Sequence, residues 1–152
     1  MPKDILIVDD NEDVLASLAA MVKMGLEIEP FACSNSSDAF AVLRRNELKV
    51  LLLDYQLGSE DMSGVDFLRM VRNELRLRTP CILLTGFPQE ASQALFRAKI
   101  ANLGMVRFLG KPSEVQTILS SLADAIQSYQ SMPALQPAIR VERVLAKNAL
   151  PL

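Results

Sequence analysis

Ile5-Leu6-Ile7-Val8-Asp9-Asp10 (ILIVDD) decides the fold, because four consecutive branched apolar residues read as a strand buried on both faces that ends abruptly on two carboxylates. The same grammar recurs along the chain. Val50-Leu51-Leu52-Leu53 is followed by Asp54, Cys81-Ile82-Leu83-Leu84 by Thr85, and a run from Met105 to Leu109 by Lys111. A shorter extended segment, about Ile28 to Cys33, supplies a further strand. Helical patterns fill the gaps. Asn11 caps a helix carrying Val14, Leu15, Leu18, Met21 and Val22 that ends near Gly25. Ser36 or Ser37 opens a second with Ala39, Phe40 and Leu43. The loop from Gln56 to Ser63 leads to a third with Val65, Phe67, Leu68, Val71 and Leu75. Pro88 starts a fourth over about Gln89 to Asn102, closed by Gly104. Ser113 and Gln116 form a capping box for a fifth, running to about Tyr129 with Val115, Ile118, Leu119, Leu122 and Ile126 inward.

Five strand-helix pairs in strict alternation specify an α/β fold, a doubly wound parallel sheet with right-handed crossovers. Ligands in such sheets bind at the carboxyl ends of the strands. Asp9, Asp10, Asp54, Thr85 and Lys111 all fall there, so five residues distant in sequence converge on one rim.

Composition narrows the chemistry. The chain has 152 residues, enough for one domain that buries roughly 70% of its unfolded surface. Sixteen Lys+Arg against 18 Asp+Glu give a net charge of -2, which argues against a polybasic protein that binds nucleic acid or a membrane surface. Histidine is absent, which removes Ser-His-Asp catalysis, His-ligated zinc and a self-carried phosphohistidine. Cys33 and Cys81 sit in apolar strand contexts and read as buried thiols of a reducing cytoplasm. No apolar run approaches the roughly 18 residues that span a bilayer, and the expected location is cytoplasmic.

Three neighbouring carboxylates raise one another's pKa unless a cation intervenes. A hard divalent ion reverses that penalty, and Mg²⁺ characteristically takes one or two carboxylates together with waters and phosphate oxygens. The rim therefore suits phosphoryl chemistry. Asp54, alone at the end of its strand, is the candidate nucleophile. Thr85 can donate to a phosphoryl oxygen, and Lys111 can bring a mobile positive charge. Taken singly, each has an ordinary alternative: a helix cap or turn for Asp9 or Asp10, a turn hydroxyl for Thr85, a solvated surface position for Lys111. Independent caps and surface residues have no reason to gather at one end of the central strands.

Asp9-Asp10 after ILIV, Asp54 after VLLL, Thr85 after CILL and Lys111-Pro112 after FLG together resemble the signature of receiver domains of two-component response regulators. The similarity covers about Lys3 to Tyr129. It implies a flavodoxin-like (β/α)5 sheet of order 2-1-3-4-5, with residues 1–130 as receiver domain and 131–152 as a tail or linker. In the tail, Ala138 to Ala149 form either a short helix or a frayed end. The resemblance also implies Asp54 as phosphoacceptor and Mg²⁺ as cofactor, held by Asp10 directly, Asp9 largely through water, Asp54 and the backbone carbonyl of Gln56. The phosphoryl donor is then a phosphohistidine on a sensor histidine kinase or histidine phosphotransfer protein. Thr85 and Lys111 respond to the new phosphoryl group. Phe108 matches the switch aromatic, with an ordinary core phenylalanine as its alternative. A two-state change of the fourth helix, fifth strand and fifth helix alters a partner surface, including a possible homodimer interface.

The sequence departs from the family pattern in places. The loop after Asp54 carries Gly58 where receivers commonly have proline, and it adds Glu60 and Asp61; Met105 replaces a small residue, and Gln56 and Phe87 occupy positions that resemble rate-tuning sites. Two rival readings remain. One is a Mg²⁺-dependent phosphatase or phosphotransferase with an Asp nucleophile, resembling haloacid-dehalogenase-like proteins, although these place an acid where Gln56 stands. The other is a receiver-like binding module independent of phosphorylation. The tail is too short for an effector domain, so nucleic acid is expected to be reached only through a domain beyond these residues.

Overall fold

Residues 3–57, 62–86 and 103–135 are described by a computed structural model of the chain. Five parallel strands, β1 (Ile5–Val8), β2 (Phe31–Cys33), β3 (Val50–Asp54), β4 (Cys81–Thr85) and β5 (Val106–Gly110), form one sheet in the order β2-β1-β3-β4-β5. Val8 pairs in register with Cys33 and Leu53, Asp54 with Leu84, and Thr85 with Gly110, so the strand ends form one edge.

Alternation along the strands builds two cores. Leu6, Val8, Leu51, Leu53 and Leu83 face α2 (Ser36–Arg45) and α3 (Gly64–Asn73), whereas Ile5, Ile7, Leu52, Ile82 and Leu84 face α1 (Glu12–Leu26) and α4 (Val115–Ser131). Each fully buried Leu or Ile contributes about 1.5–3 kcal/mol, so the uniformly apolar strands are stable only with both faces covered. On the α2/α3 side, Phe40 and Phe67 stack with ring centroids 4.5 Å apart. On the other, Tyr129 of α4 is buried and its hydroxyl donates to Glu47 Oε1 at 2.6 Å, tying the last helix to the α2–β3 connection.

Helix ends differ from the sequence expectation. Gly25 lies inside α1, which continues to Leu26 and is closed by Glu27 in the left-handed conformation, φ 55°. Gly25 instead permits close helix contact: a Cβ there would lie 2.5 Å from Leu119 Cδ1 of α4. The cap of α2 is Asn35, which accepts from the Asp38 amide while its own side-chain amide donates back to Asp38. The expected Ser113/Gln116 capping box does not form. Ser113 Oγ donates to the Gly110 carbonyl, Glu114 occupies the cap position without a side-chain bond, and Val115 is 55% exposed rather than inward. Strand β2 starts at Phe31 rather than Ile28, and β5 starts at Val106, leaving Met105 exposed. Leu75 lies beyond α3, which ends at Asn73. The fourth expected helix and the 138–149 segment lie outside the described residues. A 3₁₀ turn, Pro133–Leu135, follows α4.

Candidate functional site

The rim is assembled by strand ends. Asp9 follows β1, Asp54 is the last residue of β3, Thr85 the last of β4, and Lys111 follows β5. Carboxylate oxygens of Asp9, Asp10 and Asp54 lie within 4.8 Å of one another. Lys111 Nζ reaches across, 3.0 Å from Asp54 Oδ1 and 3.5 Å from Asp9 Oδ2. Its backbone is tied to β4, since the Lys111 amide donates to the Thr85 carbonyl at 2.7 Å.

The three acids occupy different environments. Asp9 is 1% exposed, Asp54 partly buried and Asp10 exposed. Both Asp9 oxygens have partners, because Oδ1 accepts the Asn11 amide at 2.9 Å and Oδ2 faces Lys111. Burial pushes the Asp9 carboxyl above the usual carboxylate range, and the Asp54 charge adds to the effect against the Asn11 amide and Lys111. For Lys111, burial works against the charge, but the hydrogen bond and charge of Asp54, followed by those of Asp9, outweigh it and raise the ammonium pKa.

Thr85 is buried. Phe108 is half-buried, pairs in register with Leu83 and packs on the α2/α3 core. Since Cys81 and Leu83 also face that core, alternation places Thr85 and Phe108 on the same side of the sheet. Gln56 bridges to Ser63, closing the base of the loop after Asp54. Ser63 then caps α3 in a reciprocal box with Asp66. Gly58, Glu60, Asp61 and Phe87 lie outside the described residues.

Two contributions escaped the sequence reading. Asn11 reads as a helix cap, which it is, yet its amide also orients Asp9. Gly64 lets α3 start against β3: its amide donates to the Tyr55 carbonyl at 2.6 Å, and a Cβ would lie 2.5 Å from the Asp54 carbonyl oxygen. Nothing in its sequence context marks that approach.

This donor set, hard carboxylate oxygens with part of the cluster open to solvent, fits a divalent ion such as Mg²⁺. A partly buried strand-end acid within it, contacted by a lysine, suits transfer of an anionic group. The sequence pattern of the response regulator receiver domain matches residues 5–123, and the chain belongs to that family. The polar-differentiation response regulator DivK of Brucella anthropi is 25% identical over 126 residues, covering 82% of this chain and 100% of the relative. A putative NtrX-like response regulator of Rickettsia bellii is 31% identical over 83 residues, 55% of this chain but 17% of the relative, so the match spans a minor part of that longer protein. The crystal structure of a CheY-like receiver domain protein from Methanospirillum hungatei superposes with TM-score 0.73 at 21% identity, covering 86% of this chain and 98% of that one, a likeness of fold. Receiver domains are signalling switches rather than enzymes acting on small molecules. Among the described residues no helix is long and apolar enough to cross a membrane.

Proposed function

We propose that the protein is a phosphorylation-activated switch of a two-component system, in which Asp54 accepts a phosphoryl group from a phosphohistidine on a sensor kinase or phosphotransfer protein. The observation that carries this reading is the Lys111 ammonium lying on Asp54 and Asp9 beside a three-carboxylate cluster. In the transfer, an Asp54 carboxylate oxygen forms a bond to phosphorus while the phosphorus–nitrogen bond breaks, and the imidazole nitrogen keeps the electron pair. Lys111 exchanges its contact with the carboxylate for one with the phosphoryl oxygens, and the Thr85 hydroxyl donates to another.

Asp9, Asp10, Asp54 and the Gln56 carbonyl would hold Mg²⁺. When bound, the ion neutralises the negative charge of the acids and the incoming group. The two partners already on Asp9 support an indirect, water-mediated role for it, and the exposure of Asp10 supports direct ligation. Phosphorylation adds about -1.5 to -2 charges to the rim. Thr85 then moves inward and Phe108, on the same side of the sheet, turns with it, which changes the surface around β5 and α4 that meets a partner or a second copy. Some receiver domains do form dimers. Cytoplasmic location fits a phosphoryl donor of this kind.

Incubation with acetyl phosphate or a phosphorylated partner and Mg²⁺ is expected to add one hydroxylamine-labile phosphoryl group, and Asp54→Asn to abolish it. Label on the substituted protein would overturn the assignment. Phosphorylation without any change in oligomeric state or partner affinity would instead favour the phosphorylation-independent module.

A further inference from the structure

At the opposite end of the sheet from Asp54, a cavity of about 500 Å³ is lined by Arg72, Arg76 and Arg78 together with Leu103, Met105 and Leu135. That volume is within the range of small-molecule sites. Among the described lining residues there is no carboxylate to offset the three guanidinium groups.

Of the three arginines, Arg72 is partly buried and held in place, whereas Arg76 and Arg78 are exposed. Arg72 is fixed by two backbone carbonyls, with Nε donating to Leu103 and Nη1 to Leu77, while Nη2 is buried and has no hydrogen-bond partner among the described residues. A buried donor left unmatched costs stability. Burial, with the Arg78 charge adding to it, lowers the basicity of Arg72. Arg76 stands in the left-handed region, φ 55°, in the turn that closes α3, where the Leu77 amide reaches back to the Val71 carbonyl. Glycine is the easier residue at such a position. An arginine there retains a charged side chain at the expense of backbone comfort.

We propose that this cavity binds a phosphate monoester with an apolar body, its phosphate between the arginines and its body on Leu103, Met105 and Leu135. Guanidinium groups complement a phosphate dianion in charge and present their donors in a planar fork. The apolar wall distinguishes such a ligand from free phosphate. The site is separated from the Asp54 rim by the length of β4, about 13 Å at the usual rise per strand residue.

Calorimetric titration of the full chain with AMP, adenosine and inorganic phosphate, with EDTA present to keep the acidic rim metal-free, tests this. AMP is expected to bind at least tenfold more tightly than either fragment. Arg78→Gln and Arg76→Gly should each weaken AMP at least tenfold, and Arg76→Gly should leave Tm unchanged or higher because it relieves the turn. Asp54→Asn should bind AMP as the parent does. The proposal fails if AMP gives no binding at millimolar concentration, if it binds no better than phosphate or adenosine, if both arginine variants retain full affinity, or if Asp54→Asn alone removes binding.

Discussion

Asp9, Asp10 and Asp54 place three carboxylates within 4.8 Å against one close ammonium among the described residues, so without a metal the rim carries net repulsion that Lys111 only partly offsets. Asp10, exposed, is the member whose charge can be removed without breaking a buried contact. Asp10→Asn is therefore expected to stabilise the metal-free protein by about 0.5–1 kcal/mol, the size of an exposed charge interaction. Adding Mg²⁺ should raise the Tm of the parent by mass action and that of the variant much less. Thermal denaturation in EDTA and in Mg²⁺ measures both effects, and equal Mg²⁺ shifts would remove Asp10 from the ligand set. The gathering of these acids with Thr85 and Lys111 was legible because each sits directly after an apolar run, and parallel strands end on one edge. The help that Asn11 and Gly64 give was not legible, since it depends on backbone direction: an amide turned to Asp9, and a helix start pressed on the Asp54 carbonyl.

At the scale of elements, the contact between α1 and α4 turns on Gly25 and Leu119. A Cβ on residue 25 would meet Leu119 Cδ1 at 2.5 Å and Cδ2 at 3.0 Å. Gly25→Val is expected to destabilise the protein by about 1–3 kcal/mol through overpacking. Leu119→Ala in the same chain should recover part of that loss, giving a favourable coupling energy in a double-mutant cycle by urea denaturation. Additive effects would show that the two helices do not meet through this pair. The same glycine explains why strands were easier to read than helix ends. Apolar runs such as Val50–Leu53 report burial, which the whole sheet enforces. Caps depend on single φ/ψ values and nearby carbonyls, so Glu27 closes α1 in place of Gly25, and Ser113 turns to Gly110 instead of capping α4. Strand β2 is short for a related reason: only Phe31 to Cys33 find partners on β1, although the apolar pattern begins earlier.

For the whole molecule, ionisable groups held inside the sheet set how stability varies with pH. Cys81 starts β4 between β3 and β5, and burial pushes its thiol up to about 12, with Arg72 opposing the shift. Burial and Asp38 raise the Cys33 thiol as well. Below the ordinary thiol value of 9.0, Cys81 is protonated in both the folded and unfolded chains, so it adds no pH dependence. Between 9.0 and about 12 the unfolded chain releases the proton and the folded one retains it, so stability falls as pH rises. The limiting slope is about 1.4 kcal/mol per pH unit from this group. Lys111 acts in the same direction at higher pH, because its raised ammonium pKa contributes stability that is complete below the unfolded value of 10.5 and lost as pH climbs through the folded one. Urea denaturation from pH 7 to 10.5 is therefore expected to show a plateau followed by a decline above about pH 9. Cys81→Ala should be less stable at pH 7, because it leaves a small cavity beside Leu51 and Val106, yet decline less steeply above pH 9. An unchanged slope in that variant would show that the buried thiol does not govern alkaline unfolding.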